Sequence, residues 1–294
     1  PELNFTSILG LDATSQRDVF FERFGWNVDR FSSLTPQGNR TANDLVNRQL
    51  TIDVKGNWTP NFFTDWSTSL VAGFQGFVTD ETVSGSDNQN FPGPGVAVTP
   101  AGTAPVARER FNQTVNGGYF AQAQVGWKDW VFTTVGGRYD FASAFGADAG
   151  GVFYPKVSLS VVPTDWKGWN FGQISSLRLR TAWGQSGRQP GAFDQFTTFE
   201  ALPSNEGSGL APLNLGNRDL RPEISTETEF GADIGLLNNA LGFDLTFWNR
   251  KVTDLLYAFP FPPSGGFRRT QLANVGEMSA RGLELGVKVF PVQK

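Results

Sequence analysis

The chain has no cysteine and no histidine. A disulfide scaffold, a thiol nucleophile, a histidine base and a zinc site of the usual ligands are all excluded. No stretch approaches the roughly 18 consecutive apolar residues of a membrane-spanning helix. Basic residues form no cluster and the net charge is −4, so nothing argues for a nucleic-acid partner. There is no nucleophile–base set, so the sequence predicts neither an enzyme nor a cofactor. No strict repeat is present, which disfavours a solenoid or propeller. The opening Pro1-Glu2-Leu3-Asn4 is already strand-like, and no signal peptide precedes it. The expectation is a mature chain or an internal piece of a longer one.

What is abundant is aromatic residues and glycine: 27 Phe, 9 Trp and 34 Gly in 294 residues. Their arrangement is informative. In Phe243-Asp244-Leu245-Thr246-Phe247 alternate side chains are apolar and polar, and successive strand side chains point to opposite faces. About ten segments behave this way: 3–11, 49–58, 65–79, 118–127, 130–141, 153–162, 177–183, 226–236, 241 to about 252, and 282–290. One face would be apolar and the other wet, as in a membrane barrel whose strand signal is weak because lumen positions are polar. On this reading Tyr119, Val125, Trp127, Leu177, Leu179, Phe243, Leu245, Phe247, Leu283 and Leu285 face lipid. Gln122, Gln124, Arg178, Arg180, Asp233, Asp244 and Glu284 face the lumen.

The connections alternate in length. Trp58 and Trp66 are joined through Thr59-Pro60-Asn61, Trp127 and Trp130 through Lys128-Asp129, and the eighth and ninth segments through Asn238-Asn239. Between these lie long links at about 12–48, 80–117, 184–225 and 253–281. Outer-membrane barrels have short periplasmic turns and long extracellular loops. The 163–176 link is long for the short side, and the 142–152 link is short for the other. Tyr119 and Trp127 share a face at a separation of about 20 Å along the membrane normal, close to the height of a barrel's apolar band. The proline-rich stretch 90–105 reads as an irregular exposed loop. The fold class predicted is all-β, an antiparallel transmembrane β-barrel segment of about ten strands.

Several motifs then occur in a familiar order. Asn217-Arg218-Asp219-Leu220-Arg221-Pro222-Glu223 followed by Glu229-Phe230-Gly231 resembles the N-x-x-L-K/R-P-E…E-x-G stretch of TonB-dependent outer-membrane receptors. Asn274-Val275-Gly276 with Arg281-Gly282-Leu283-Glu284 is similar to the family's N-x-G…R/K-G-x-E, and Thr253-Asp254-Leu255-Leu256 to its T-D-L-L. Upstream, Gly118-Tyr119-Phe120-Ala121-Gln122, Arg138-Tyr139-Asp140 and Phe153-Tyr154-Pro155-Lys156-Val157-Ser158 resemble further stretches. The set sits nearest the SusC/RagA-like branch and covers residues 115–290 well. The resemblance implies uptake of a glycan, peptide or similar nutrient. It also implies energy delivered by the TonB system through a plug domain, and a SusD-like lipoprotein as lid. No plug, TonB-binding segment or terminal aromatic strand is recognisable, and ten strands are fewer than the roughly 22 of plugged transporters. Residues 1–294 are thus expected to form part of a barrel domain, without the plug and closing strands. A structural role in a larger assembly and a passive porin remain alternatives.

The candidate contact residues lie in the long links: Phe193, Phe196, Phe199, Phe259, Phe261 and Phe267 for apolar area, with Asn205, Arg268 and Arg269 for polar contact. They could equally pack loop against loop. Arg178 and Arg180 could touch a ligand, but pairing with Asp233 or Asp244 is the plainer role. Pro222 and Glu223 would end a loop and enter a strand. Trp58, Trp66, Trp127, Trp130 and Trp183 read as interfacial anchors rather than sugar platforms. Asp80-Glu81 reads as solvated loop charge.

Overall fold

The computed structural model describes residues 2–25, 37–96, 98–103, 105–147, 150–170, 172–204, 207–260, 262–267 and 270–290. Among these residues fourteen strands are found: β1 (Glu2–Glu22), β2 (Asn39–Thr59), β3 (Trp66–Gln89), β4 (Val106–Trp127), β5 (Val131–Ala142), β6 (Val152–Val161), β7 (Ile174–Arg188), β8 (Thr198–Ser204), β9 (Gly207–Asn214), β10 (Glu223–Leu236), β11 (Leu241–Thr253), β12 (Leu256–Pro260), β13 (Thr270–Asn274) and β14 (Glu277–Val289). Ten form one sheet in the order β1-β2-β3-β4-β5-β6-β7-β10-β11-β14, while β8-β9 and β12-β13 are separate hairpins. From β4 onward every neighbouring pair is antiparallel. All ten predicted segments are strands of this sheet.

The chain divides into two compact units. The first comprises Pro1–Ile8, Ile52–Gly76 and Asn116–Lys294. Its register runs apolar residues straight across the sheet. Trp127 opposes Val131, which opposes Val161, then Leu179, Ala232, Leu245 and Leu285. The next row is Val125, Thr133, Leu159, Thr181, Phe230, Phe247 and Leu283. Among the described residues these side chains pack on no second layer: Leu179 is 45% exposed, Phe230 55% and Leu285 64%. A water-soluble sheet must cover such a face. A wall in lipid leaves it bare and satisfies its backbone strand to strand. The tight turns fit their residues. Lys128 and Asp129 have φ of 49° and 60°, the left-handed pair of a two-residue hairpin, and Leu237, Asn238 and Asn239 are also left-handed.

The second unit comprises Leu9–Thr51 and Phe77–Val115. Here the expectation needs correction. The stretches read as long links, 12–48 and 80–117, are largely strand, with β1 reaching Glu22, β2 starting at Asn39, β3 reaching Gln89 and β4 starting at Val106. Their sequences are polar at both parities, so no alternation betrays them. Cross-strand polar pairs hold them instead: Arg108–Asp87 at 2.6 Å, Arg110–Glu81 at 2.9 Å and Gln113 Nε2 donating to Asp80 at 2.8 Å. Asp80 and Glu81 are thus paired strand residues, not loop charges. The 90–105 segment is irregular as expected, but its Phe91 is only 1% exposed and meets the Phe21 ring at 6.1 Å. The links at 184–225 and 253–281 also hold structure, the hairpins β8-β9 and β12-β13.

Candidate functional site

Two regions of the first unit carry polar chemistry. One is the polar face of the sheet, whose rows alternate with the apolar ones. Arg178 directly opposes Asp233, which opposes Asp244. Two carboxylates facing each other across strands repel. Arg180, one register step along, resolves this by reaching both, at 3.7 Å to Asp233 and 2.9 Å to Asp244, while donating to Thr246 Oγ1 at 2.7 Å. Its stem lies flat across β10 because Gly231 leaves room: a Cβ there would sit 2.8 Å from Arg180 Cγ. Arg178 Nε donates to Ser160 Oγ at 3.0 Å. Glu284 accepts from Trp248 Nε1 at 3.1 Å, and that indole lies over Gly282. Arg250 sits 5.9 Å from the Trp248 ring and 2.7 Å from Glu227. Gln122 and Gln124 share this face, in rows that continue through Lys156 to Glu227 and Arg250, and through Ser158 to Glu229 and Trp248. All seven polar residues predicted on one face therefore share it. Further along, Arg138 donates to Gln75 Oε1 at 3.1 Å, Gln75 donates to Asp53 at 3.3 Å, and Arg138 also pairs with Asp140. A hollow of about 630 Å³ lies there, with Tyr154 and Lys156 in its lining. Sequence reading did not single out that chain, because its members are scattered over β2, β3 and β5.

The other region is the long-link end, where three links are tied together. Asn274 Nδ2 donates to the carbonyls of Arg221 at 2.8 Å and Asp254 at 2.9 Å, and its Oδ1 accepts from Arg221 N at 2.8 Å. Asn217 Nδ2 donates to the Leu272 carbonyl at 3.1 Å. Gly146 N donates to the Leu220 carbonyl at 2.9 Å, drawing in the 143–151 link. Leu220 is completely buried, and Pro222 and Glu223 are nearly so. Glu223 keeps a strand-entry role and adds one: its Oε1 accepts from Leu256 N at 2.8 Å and its Oε2 stands 3.7 Å from Arg188. The motif residues Asn217 and Asn274, noted only as a resemblance, are the side chains that stitch this knot.

The knot carries the two hairpins with the predicted aromatics. Phe199 and Phe267 meet at 6.3 Å between ring centres, so these two are brought together. Phe193 and Phe196 lie in one turn, held by Asn214 Nδ2 donating to both their carbonyls at 3.1 and 3.0 Å. Phe259 packs edge-on against Tyr257 at 5.0 Å on the other hairpin. Phe193, Phe196, Phe199 and Phe259 are between 41% and 54% exposed. Phe261, Arg268, Arg269 and Asn205 lie outside the described residues.

A sheet polar on one face, bare and apolar on the other, with tight turns at one end and knotted hairpins at the other, is a wall of a transmembrane β-barrel. The profile of the family described as TonB dependent receptor-like, beta-barrel matches residues 2–290, and the chain belongs to that family of outer-membrane receptors, which are transporters rather than enzymes. It is 30% identical over 189 residues to TonB-dependent receptor P26 of Formosa agariphila, covering 60% of this chain and 18% of that protein. It is 24% identical over 174 residues to TonB-dependent receptor SusC of Bacteroides thetaiotaomicron, covering 53% of this chain and 16% of that one. Among solved structures it is similar to the RagAB peptide transporter, with a TM-score of 0.86 at 20% identity over 99% of this chain and 32% of that chain. The chain therefore spans a third or less of each of these three proteins, and its likeness is to SusC/RagA-like receptors.

Proposed function

We propose that this chain is part of the barrel wall of a receptor that imports a nutrient solute of glycan or peptide class through the outer membrane. The polar face lines the lumen, and the hairpins at the knotted end lie on the extracellular side. The observation that carries this reading is the continuous row of paired charges and amides on one sheet face, backed by a bare apolar face. The like-charged Asp233 and Asp244 held open by Arg180 suit a wet conduit better than a packed core. Among the described residues β1 and β14 end the sheet, and lipid cannot satisfy their outer backbone groups, which supports completion of the barrel by further strands. Energy reaches the solute from the TonB system through a plug held outside this segment. The likeness to SusC and to the RagAB transporter supports both the solute class and a SusD-like lipoprotein partner. The exposed faces of Phe199 and Leu210 on β8-β9 offer it apolar contact.

The test is uptake by cells carrying the full-length receptor, supplied with labelled oligosaccharides and oligopeptides, with and without a protonophore. Saturable uptake that stops when the proton-motive force collapses is expected. Uptake that persists unchanged would mark a passive pore and refute energised import.

A further inference from the structure

The short-turn end of the wall holds a set of charges that the transport reading does not use. Residues 64–67, 128–130 and 165–167, from three successive turns, enclose a hollow of about 430 Å³. Its frame is fixed turn to turn: Lys128 N donates to the Asp65 carbonyl at 2.8 Å, and Val162 N to the Trp130 carbonyl at 2.7 Å. Around it stand Asp65, Lys128, Asp129, Asp165 and Lys167. Among the described residues none of these five side chains makes an ion pair, although both signs are present. Three indoles line the hollow, Trp66, Trp130 and Trp166, and Trp127 joins them in a continuous chain: Trp66 to Trp127 at 6.4 Å, Trp127 to Trp130 at 5.4 Å, and Trp130 to Trp166 at 6.4 Å. Lys128 Nζ lies 4.9 Å from the Trp127 ring.

We infer that this hollow binds the headgroup of a zwitterionic phospholipid carrying a phosphate and a primary ammonium. The tryptophan chain puts the hollow at headgroup depth, where indoles settle in a bilayer. The two lysines supply donors for the phosphate. The three carboxylates and the indole faces receive the ammonium, which both carboxylate charge and an aromatic quadrupole attract. An anionic headgroup without an ammonium would meet the three carboxylates unpaired, so the charge set selects against it. The acyl chains continue onto the apolar face, which begins at Trp66 and Trp127. The inference rests on the outer-membrane placement and not on the identity of the solute.

The test is native mass spectrometry of the full-length receptor, exchanged from detergent into equimolar phosphatidylethanolamine and phosphatidylglycerol. The wild type is expected to retain phosphatidylethanolamine several-fold over phosphatidylglycerol. Lys128→Gln with Lys167→Gln should abolish that retention. Asp65→Asn with Asp129→Asn and Asp165→Asn should turn the preference toward phosphatidylglycerol. That reversal is a gain that misfolding cannot produce, so it decides the matter if the lysine variant fails to fold. Competition by free O-phosphoethanolamine would uphold a headgroup site and separate it from retention through acyl chains alone. Equal retention of the two lipids by the wild type, or a preference unchanged by the aspartate substitutions, would overturn the inference.

Discussion

Placing an arginine at Leu245 gives the sharpest reading of the membrane wall. Leu245 pairs with Ala232 on one side and Leu285 on the other, and its same-face neighbours along β11 are Phe243 and Phe247. At about 3.3 Å per residue and a tilt of roughly 40°, each residue climbs about 2.5 Å along the membrane normal. Leu241, beside the 237–240 turn, and Asn249, the first polar residue on this face, are each four positions away. Both therefore lie about 10 Å from Leu245, which places Leu245 near the middle of a band roughly 25 Å tall. An arginine at mid-band costs about 2–4 kcal/mol, falling to about 0–1 kcal/mol near the interface. Leu245→Arg should cost the former and Leu241→Arg the latter. Gln124→Arg, on the polar face, should change stability by less than about 1 kcal/mol. The assay is equilibrium unfolding of the full-length receptor in lipid vesicles, by urea. Equal costs for Leu245→Arg and Gln124→Arg, or a larger cost at Leu241, would show that this face does not meet lipid.

Other outcomes follow from the polar groups. Asn274→Ala removes three hydrogen bonds to the backbone of two links, a loss of about 1–3 kcal/mol. Limited proteolysis should then cut within 189–222 or 254–276 faster, and an unchanged cleavage rate would deny the knot its role. Gly231→Ala drives a Cβ into the Arg180 stem and should cost about 1–3 kcal/mol in thermal unfolding. Gly242→Ala, where the nearest atom to a new Cβ is 3.6 Å away, should cost less. Asp244→Asn loses one half-exposed ion pair and should shift stability by no more than about 1 kcal/mol, so a large loss would mean that the pair is structural. Phe199→Ser with Leu210→Ser should leave surface expression intact while lowering solute uptake or lipoprotein capture. If both persist, the hairpin serves neither.

The strands that cross the apolar band were legible because lipid and water impose opposite demands on alternate residues. Phe243 to Phe247 and Leu283 to Val289 show this in the bare sequence. Where both faces of a strand are polar the signal vanishes: Asp80 to Gln89 and Asn39 to Arg48 are strand, yet read as loop. The hairpin β8-β9 was hidden for a different reason, since its Pro203, Pro212 and two glycines argue against a ladder. The pairing of Arg180 with Asp233 and Asp244 follows from parity and was foreseen. The Arg138–Gln75–Asp53 chain depends on which distant strands are neighbours, which parity alone does not give. Asn217 and Asn274 were noticed as a pattern, but what they bond is backbone of other links, and no spacing rule encodes that.

The account stands on one face being wet and the other in lipid, and the absence of cysteine makes this directly measurable. Single cysteines placed in turn at Phe243, Asp244, Leu245, Thr246 and Phe247, in a full-length receptor freed of any other cysteine and embedded in vesicles, can be challenged with a charged maleimide and with a lipid-soluble one. The charged reagent should label positions 244 and 246 and spare 243, 245 and 247, with the lipid-soluble reagent reversing the pattern. Labelling by the charged reagent at all five positions, or at none, would contradict the two-faced wall.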